Sequence, residues 1–431
     1  MGVIVHCLLY HVREDIIKLL ADNWIIQVNP LTMTPKPRPQ TGRLQFIDFT
    51  RGIVMAIMAW DHVSGFWNRW HHGGEGVLGN APPFINLKWF FARFVSHYCA
   101  PTFIFLAGTV LAISTLGRAD RGESQLSISK HLIIRGIVLL ILEYVSVIPA
   151  FGLDRTERFY FGVLACIGVC LIIFSVARLL PRQIILVASL IIVLFHPYLD
   201  LSFIPRTPDW GWYLRVIIHE PNSLRPPYTG LYPIIPWIGV IGMGWVFGTY
   251  LNGLSHEQIS NLKNPLLYTG ISSIVAFFIV RWNNGFGNLI FRTVSHVIDP
   301  LGHVWEIPKT TSEIIMDWMY VSKYPPSIAF LLWTLGGMCI MMYIGLRLEN
   351  RPGYQTGLTG VVLTYGRNPL FFYIVHLWLY KLKLPGEPRT PVLPMLPTLM
   401  LWFIGLTVLW WLCRKYEEIK RTHPKSILQY I

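Results

Sequence analysis

At 431 residues, with 53% hydrophobic and only 14% charged side chains and a mean hydropathy of +0.46, the chain is too apolar for an ordinary soluble enzyme. It reads as an all-α, polytopic transmembrane helix bundle. The formal net charge of +13 does not indicate nucleic acid, because the basic residues sit singly in short loops and in the tail RKYEEIKRTHPK, a distribution that suits anionic lipid headgroups.

In chain order, residues Met1 to Thr32 form a weakly amphipathic stretch without the basic n-region, apolar core and cleavage site of a signal peptide. Either it lies in the membrane interface or translation starts at Met33, whose MTPKPRPQTGR is a basic, proline-rich lead into the first span. At about 20 apolar residues per crossing, spans fall near 46–67, 89–116, 131–150, 161–180, 184–203, 230–250, 265–281, 326–347, 361–380 and 396–413. About ten spans put both termini on one side. The loops holding Arg118, Arg121 and Lys130, Arg178 and Arg182, and Arg347 and Arg351 make that side cytoplasmic. The division is an N-terminal extension (1–43), a transmembrane domain (44–415) and a basic cytoplasmic tail (416–431). Two connections, Pro205 to Thr229 and Trp282 to Tyr324, exceed the usual length. They serve either as walls or lids for a polar substrate or as interfacial helices.

The first two spans, FIDFTRGIVMAIMAWDHVSGFW and WFFARFVSHYCAPTFIFLAGTVLAISTL, carry ionisable residues where lipid disfavours them. A charged side chain at the bilayer centre costs roughly 3 kcal/mol or more, and it persists when it faces a partner or a water-filled site. Arg51 and His62 lie eleven positions apart, about three turns, on nearly one face and roughly 16 Å apart along the axis. An arginine at the mouth suits phosphate and a deeper histidine suits proton transfer; the plainer alternative is an interface anchor and a packed histidine. Asp61 and His62, as neighbours, diverge by about 100° and need partners on other helices. Arg93 is a natural ion-pair partner for Asp61. The four-residue spacing stacks Arg93 and His97 on one helix face, with Pro101 kinking the helix one turn on. In the ninth span, TYGRNPLFFYIVHLWLY, His376 follows Arg367 and Asn368 by about two turns. No HExxH, cysteine cluster or carboxylate-rich helix pair indicates a metal, and the GxSxG elbow, P-loop and GxGxxG are missing. The six cysteines, with no CxxC pair, predict neither a disulfide framework nor a zinc site.

The run RLQFIDFTRGIVMAIMAWDHV through RFVSHYCAPTFIFLAG, with YPIIPWIGVIGMGWVFGTYL, KYPPSIAFLLWTLG and YGRNPLFFYIVH, resembles the bacterial multi-pass membrane proteins grouped with the catalytic domain of heparan-alpha-glucosaminide N-acetyltransferase. The Arg51 to His62 spacing also resembles the arginine, ten residues, histidine pattern of broader integral-membrane acyltransferases. The resemblance implies transfer of an acetyl group from cytosolic acetyl-CoA, the acyl donor, to an amino sugar or surface glycan across a cytoplasmic (inner) membrane. Expected partners are acyl-CoA, a sugar or glycan acceptor and membrane lipids, with a homodimer admitted and no nucleic acid or metal. Lysosomal members use a histidine in the first non-cytoplasmic loop. Here that loop, NRWHHGGEGVLGNAPPFINLK, holds His71 and His72 without a clean alignment, His97 stands about where those members carry an aspartate, and His376 matches the histidine of YIVH. The catalytic base therefore stays open among His97, His62, His71 and His72. Arg93 or Asn368 would supply an oxyanion donor, and Arg51 with Arg367 a mouth for the CoA phosphates. The site set is thus Asp61, His62, Arg93, His97 and His376 for chemistry and Arg51, Arg367 and Asn368 for the donor. The competing class is a transporter or flippase with an intramembrane His/Asp/Arg relay, which should show repeated halves that this sequence lacks.

Overall fold

The computed structural model describes residues 43–71, 86–152, 159–205, 207, 209–219, 228–283, 285–292, 296–298, 304–349, 351–382, 391–423 and 426. Expectations for residues 1–42 and for His72 lie outside the described residues. Leu44–Ile431 forms one compact unit.

Helix α1 (Gln45–Trp67) is a run of apolar residues free of proline, and it ends where the Asn68 backbone turns extended. Helix α2 (Leu87–Phe94) starts on the Asn86 side chain, which accepts from the Trp89 amide. A 3-10 turn, Val95–Tyr98, then leads into α3 (Cys99–Asp120). The tightening has a local cause: Pro101 has no N–H to offer the His97 carbonyl, so α-type bonding cannot run on unbroken. Helix α4 (Gln125–Leu142) passes through a π turn, Glu143–Val147, into the short α5 (Ile148–Ala150). Strand β1 (Phe159–Phe161) precedes α6 (Val163–Ala177), and α7 (Arg182–Phe195) ends in a 3-10 turn, His196–Tyr198.

Both long connections carry structure of their own. The first holds α8 (Asp209–Ile218) and then β2 (Tyr228–Gly230), which pairs in parallel with β1. After α9 (Ile234–Asn252), α10 (His256–Ser260) and α11 (Lys263–Asn283), the second holds the antiparallel strands β3 (Phe291–Arg292), β4 (His296–Ile298) and β5 (Val304–Glu306). Helix α12 (Thr311–Met319) follows, opened by a capping box between Thr310 and Glu313. Buried Arg281 ties α11 to it, donating to the Trp318 and Asp317 carbonyls at 2.7 and 3.1 Å. Helix α13 (Ile328–Glu349) precedes a broken rod, α14 (Gly357–Arg367) and α15 (Pro369–Lys381), interrupted at Asn368. The last helix is α16 (Met395–Thr422).

Helix lies at every one of the ten expected spans, and the all-α bundle is the architecture. Among the described residues six stretches, Leu87–Asp120, Gln125–Ala150, Ile234–Asn252, His256–Asn283, Ile328–Glu349 and Met395–Thr422, are long and apolar enough to cross a membrane, while Val163–Ala177 and Arg182–Tyr198 are shorter apolar helices. Helix α1 carries Asp48, Arg51 and Asp61, and the α14–α15 rod is interrupted, so hydropathy and length single these out less strongly.

Helix α1 is the hub, packed against α3, α13, α14, α15 and α16. Backbones meet where glycine removes the side chain: a methyl on Gly366 would sit 1.7 Å from the Asp48 carbonyl oxygen, and one on Gly52 1.9 Å from that of Val362. The α3–α9 seam is built alike, through Gly108 against Ile241 and Gly244 against Phe105.

Candidate active site

The C-terminal half of α1 presents two polar neighbours to two different helices, as their angular separation requires. Asp61 accepts from the Arg93 guanidinium and lies 3.8 Å from His71 Nε2. Arg93 is held from behind as well, donating to Ser96 Oγ at 2.8 Å, while that hydroxyl donates to the Arg93 carbonyl. One position earlier, Trp60 donates its indole N–H to the Ala92 carbonyl at 2.7 Å, which locks α1 to α2.

His62 turns to α15. Its Nδ1 lies 2.6 Å from Nε2 of His376, and the two rings stack at 4.9 Å. His376 is wholly buried, and its Nδ1 lies 2.9 Å from the Phe372 carbonyl. A carbonyl only accepts, so His376 Nδ1 carries a hydrogen. In neutral His376 the bare Nε2 then accepts from His62 Nδ1–H. The remaining nitrogen of a neutral His62, Nε2, is therefore the one with a lone pair, and no described residue hydrogen-bonds to it. The carbonyl, His376 and His62 form a line of fixed tautomers that ends in a base.

A lysine completes the surroundings. Lys323 is only 6% exposed, sits 5.2 Å from the centre of the Tyr324 ring, and acts electrostatically on Asp61, His62 and Cys99. Its turn is held by Ser322, which donates to Pro325 O at 2.8 Å, and by buried His196, which donates to Pro326 O at 3.1 Å. Sequence reasoning missed Lys323. The one signal was its place at the head of KYPPSIAFLLWTLG, where a lysine ahead of a span reads as an interface anchor. Tyr373 and Tyr380 lie 5.7 and 6.4 Å from His376, so tyrosines border the histidine pair, while Tyr232 packs edge-on to Tyr324 at 5.9 Å.

The other expected residues divide by location. The 3-10 turn removes the shared helix face expected for Arg93 and His97: without a regular α-turn between them, their side chains part. Arg93 goes to Asp61, whereas His97 donates Nδ1–H to the Phe94 carbonyl at 2.7 Å and lies against the rings of Phe94 and Phe330. Arg51, Arg367 and Asn368 gather at the opposite end of α1, where Gly366 touches Asp48. Arg51 stands 4.0 Å from Asp48. Glu417 on α16, also missed, receives both Arg367 Nε and Asn368 Nδ2 at 2.9 Å. Among the described residues no three His, Cys, Asp or Glu side chains gather as a metal site would need.

A search of curated proteins found no match. Residues 43–280, from just before α1 into the last turn of α11 and including Asp61, His62, Arg93 and His97, match the model of the family described as heparan-alpha-glucosaminide N-acetyltransferase, catalytic. That match covers more than half of the chain and carries the hub helix with its ionisable residues, and on it the chain belongs to the family of heparan-alpha-glucosaminide N-acetyltransferase catalytic domains, membrane acyltransferases by implication.

Proposed function

We propose that this chain transfers an acetyl group from acetyl-CoA to the amino group of a sugar or surface glycan across the membrane, with His62 as the proton acceptor. The observation that carries the reading is the line from the Phe372 carbonyl through His376 to His62, which leaves His62 Nε2 as a lone pair of defined direction. Acyl transfer from a thioester to an amine needs such a base near neutral pH. As the amine nitrogen bonds to the carbonyl carbon, His62 Nε2 takes the proton the nitrogen must lose. When the C–S bond breaks, the resulting imidazolium returns that proton to the departing thiolate. His376 holds the ring of His62 in place, and Asp61, next along α1, offsets the positive charge that forms.

The donor would enter from the end of α1 that carries Arg51, Arg367 and Asn368. The two guanidinium groups, of Arg51 and Arg367, suit the CoA phosphates, and the flexible pantetheine arm would cover the roughly 16 Å of α1 up to His62. His97 remains the competing base, and its contacts with Phe94 O and two phenyl rings support it less. The reading is tested with the full chain in lipid nanodiscs, supplied with acetyl-CoA and glucosamine and followed by mass spectrometry. Equal amounts of free CoA and N-acetylglucosamine are expected. Consumption of neither substrate, or CoA release that ignores glucosamine, would contradict the assignment.

A further inference from the structure

Any acyl transfer at His62 creates a second charge, the oxyanion of the tetrahedral intermediate, and a site that stabilises it needs a donor that is not already engaged. The two donors expected from the sequence are committed elsewhere. Arg93 is held by Asp61 and Ser96, and Asn368 Nδ2 donates to Glu417 and to the Thr364 carbonyl at the far end of α1.

Lys323 is differently placed. It is buried, yet no described residue hydrogen-bonds to its Nζ, and its close contact is the face of Tyr324. It lies within electrostatic reach of both Asp61 and His62. A buried ammonium with no ion pair or hydrogen bond among the described residues is costly in the free protein and is relieved by an anion.

Resting on the acyltransfer reading above, we propose that Lys323 is a further catalytic residue whose ammonium stabilises the oxyanion formed when the acceptor amine attacks the thioester. The attacking nitrogen supplies the electron pair of the new C–N bond, and the carbonyl π pair moves onto oxygen, where Lys323 donates to it. As the C=O bond re-forms, the C–S pair leaves on sulfur and Lys323 is released unchanged. Ser322 and His196, at the end of α7, anchor the turn that carries Lys323 through the Pro325 and Pro326 carbonyls, which holds the donor's backbone in place.

The test compares wild type, Lys323→Met, Lys323→Arg and His62→Gln as full chains in nanodiscs, measuring CoA release from acetyl-CoA with glucosamine and melting temperature. Lys323→Met is expected to lose about 10²- to 10³-fold in kcat, with the KM for acetyl-CoA within about threefold of wild type, while Lys323→Arg, which keeps the charge, recovers at least about a tenth of wild-type turnover. An active wild type with Lys323→Met turning over within about threefold of it would overturn the inference and leave the function standing. Lys323→Arg melting like wild type but turning over no faster than Lys323→Met would also overturn it. A wild type that releases no CoA in response to glucosamine would sink the reading and the inference together.

Discussion

Asp61 shows what a single residue in this molecule is held by and what its loss would do. Its charge is matched by Arg93, which Ser96 holds in turn, and removing one partner of a buried pair costs up to about 3–5 kcal/mol. Asp61→Asn is therefore expected to lower the melting temperature clearly, whereas a double Asp61→Asn, Arg93→Met variant recovers much of that loss; thermal unfolding in nanodiscs reads both. At the other end of α1, Arg51→Ala is expected to raise the KM for acetyl-CoA more than the KM for the acceptor. Equal effects on both would remove Arg51 from the donor's path. The Asp61–Arg93 pair was legible in the sequence because lipid forces a buried charge to find an opposite one on another helix. The His62–His376 contact was not, since 314 positions separate the two residues and only tertiary packing unites them. Lys323 was hidden for a related reason, sitting in a turn between elements where periodicity says nothing.

At the scale of elements, the helices were legible because hydropathy over about 20 residues is a strong signal, while the breaks inside them depended on single residues. Pro101 announced an interruption of the second span, and the finding is a 3-10 turn ahead of it that sends Arg93 and His97 apart. The parallel pairing of β1 with β2 could not be read, because each is three residues long and their partnership spans the α6–α8 region. Close packing of α14 on α1 gives a direct prediction. Gly366→Leu places a branched side chain where even a methyl would fall 1.7 Å from Asp48 O. The expected result is loss of the folded protein in detergent, or a stability lowered by about 1–3 kcal/mol or more, as overpacking does, and read as a lower melting temperature. Wild-type melting would show that α14 does not seat on α1 as described.

For the whole molecule, the account requires the donor and acceptor ends of α1 to face opposite sides of the membrane. Reporter fusions after Thr422 should behave as cytoplasmic, and a cysteine introduced at His71 should react with an impermeant thiol reagent from outside. A C-terminus found outside would invert the donor and acceptor faces. The central claim, that the proton moves at the His62–His376 pair, is tested most directly by turnover of His62→Gln beside His97→Gln, each with acetyl-CoA binding measured on the same nanodisc preparation. Glutamine keeps a hydrogen-bonding side chain at either position but cannot serve as a base near neutral pH. The account predicts that His62→Gln binds acetyl-CoA and loses about a hundredfold or more in turnover, with His97→Gln within about tenfold of wild type. The reverse order, with His62→Gln near normal and His97→Gln inactive though still binding acetyl-CoA, would contradict it.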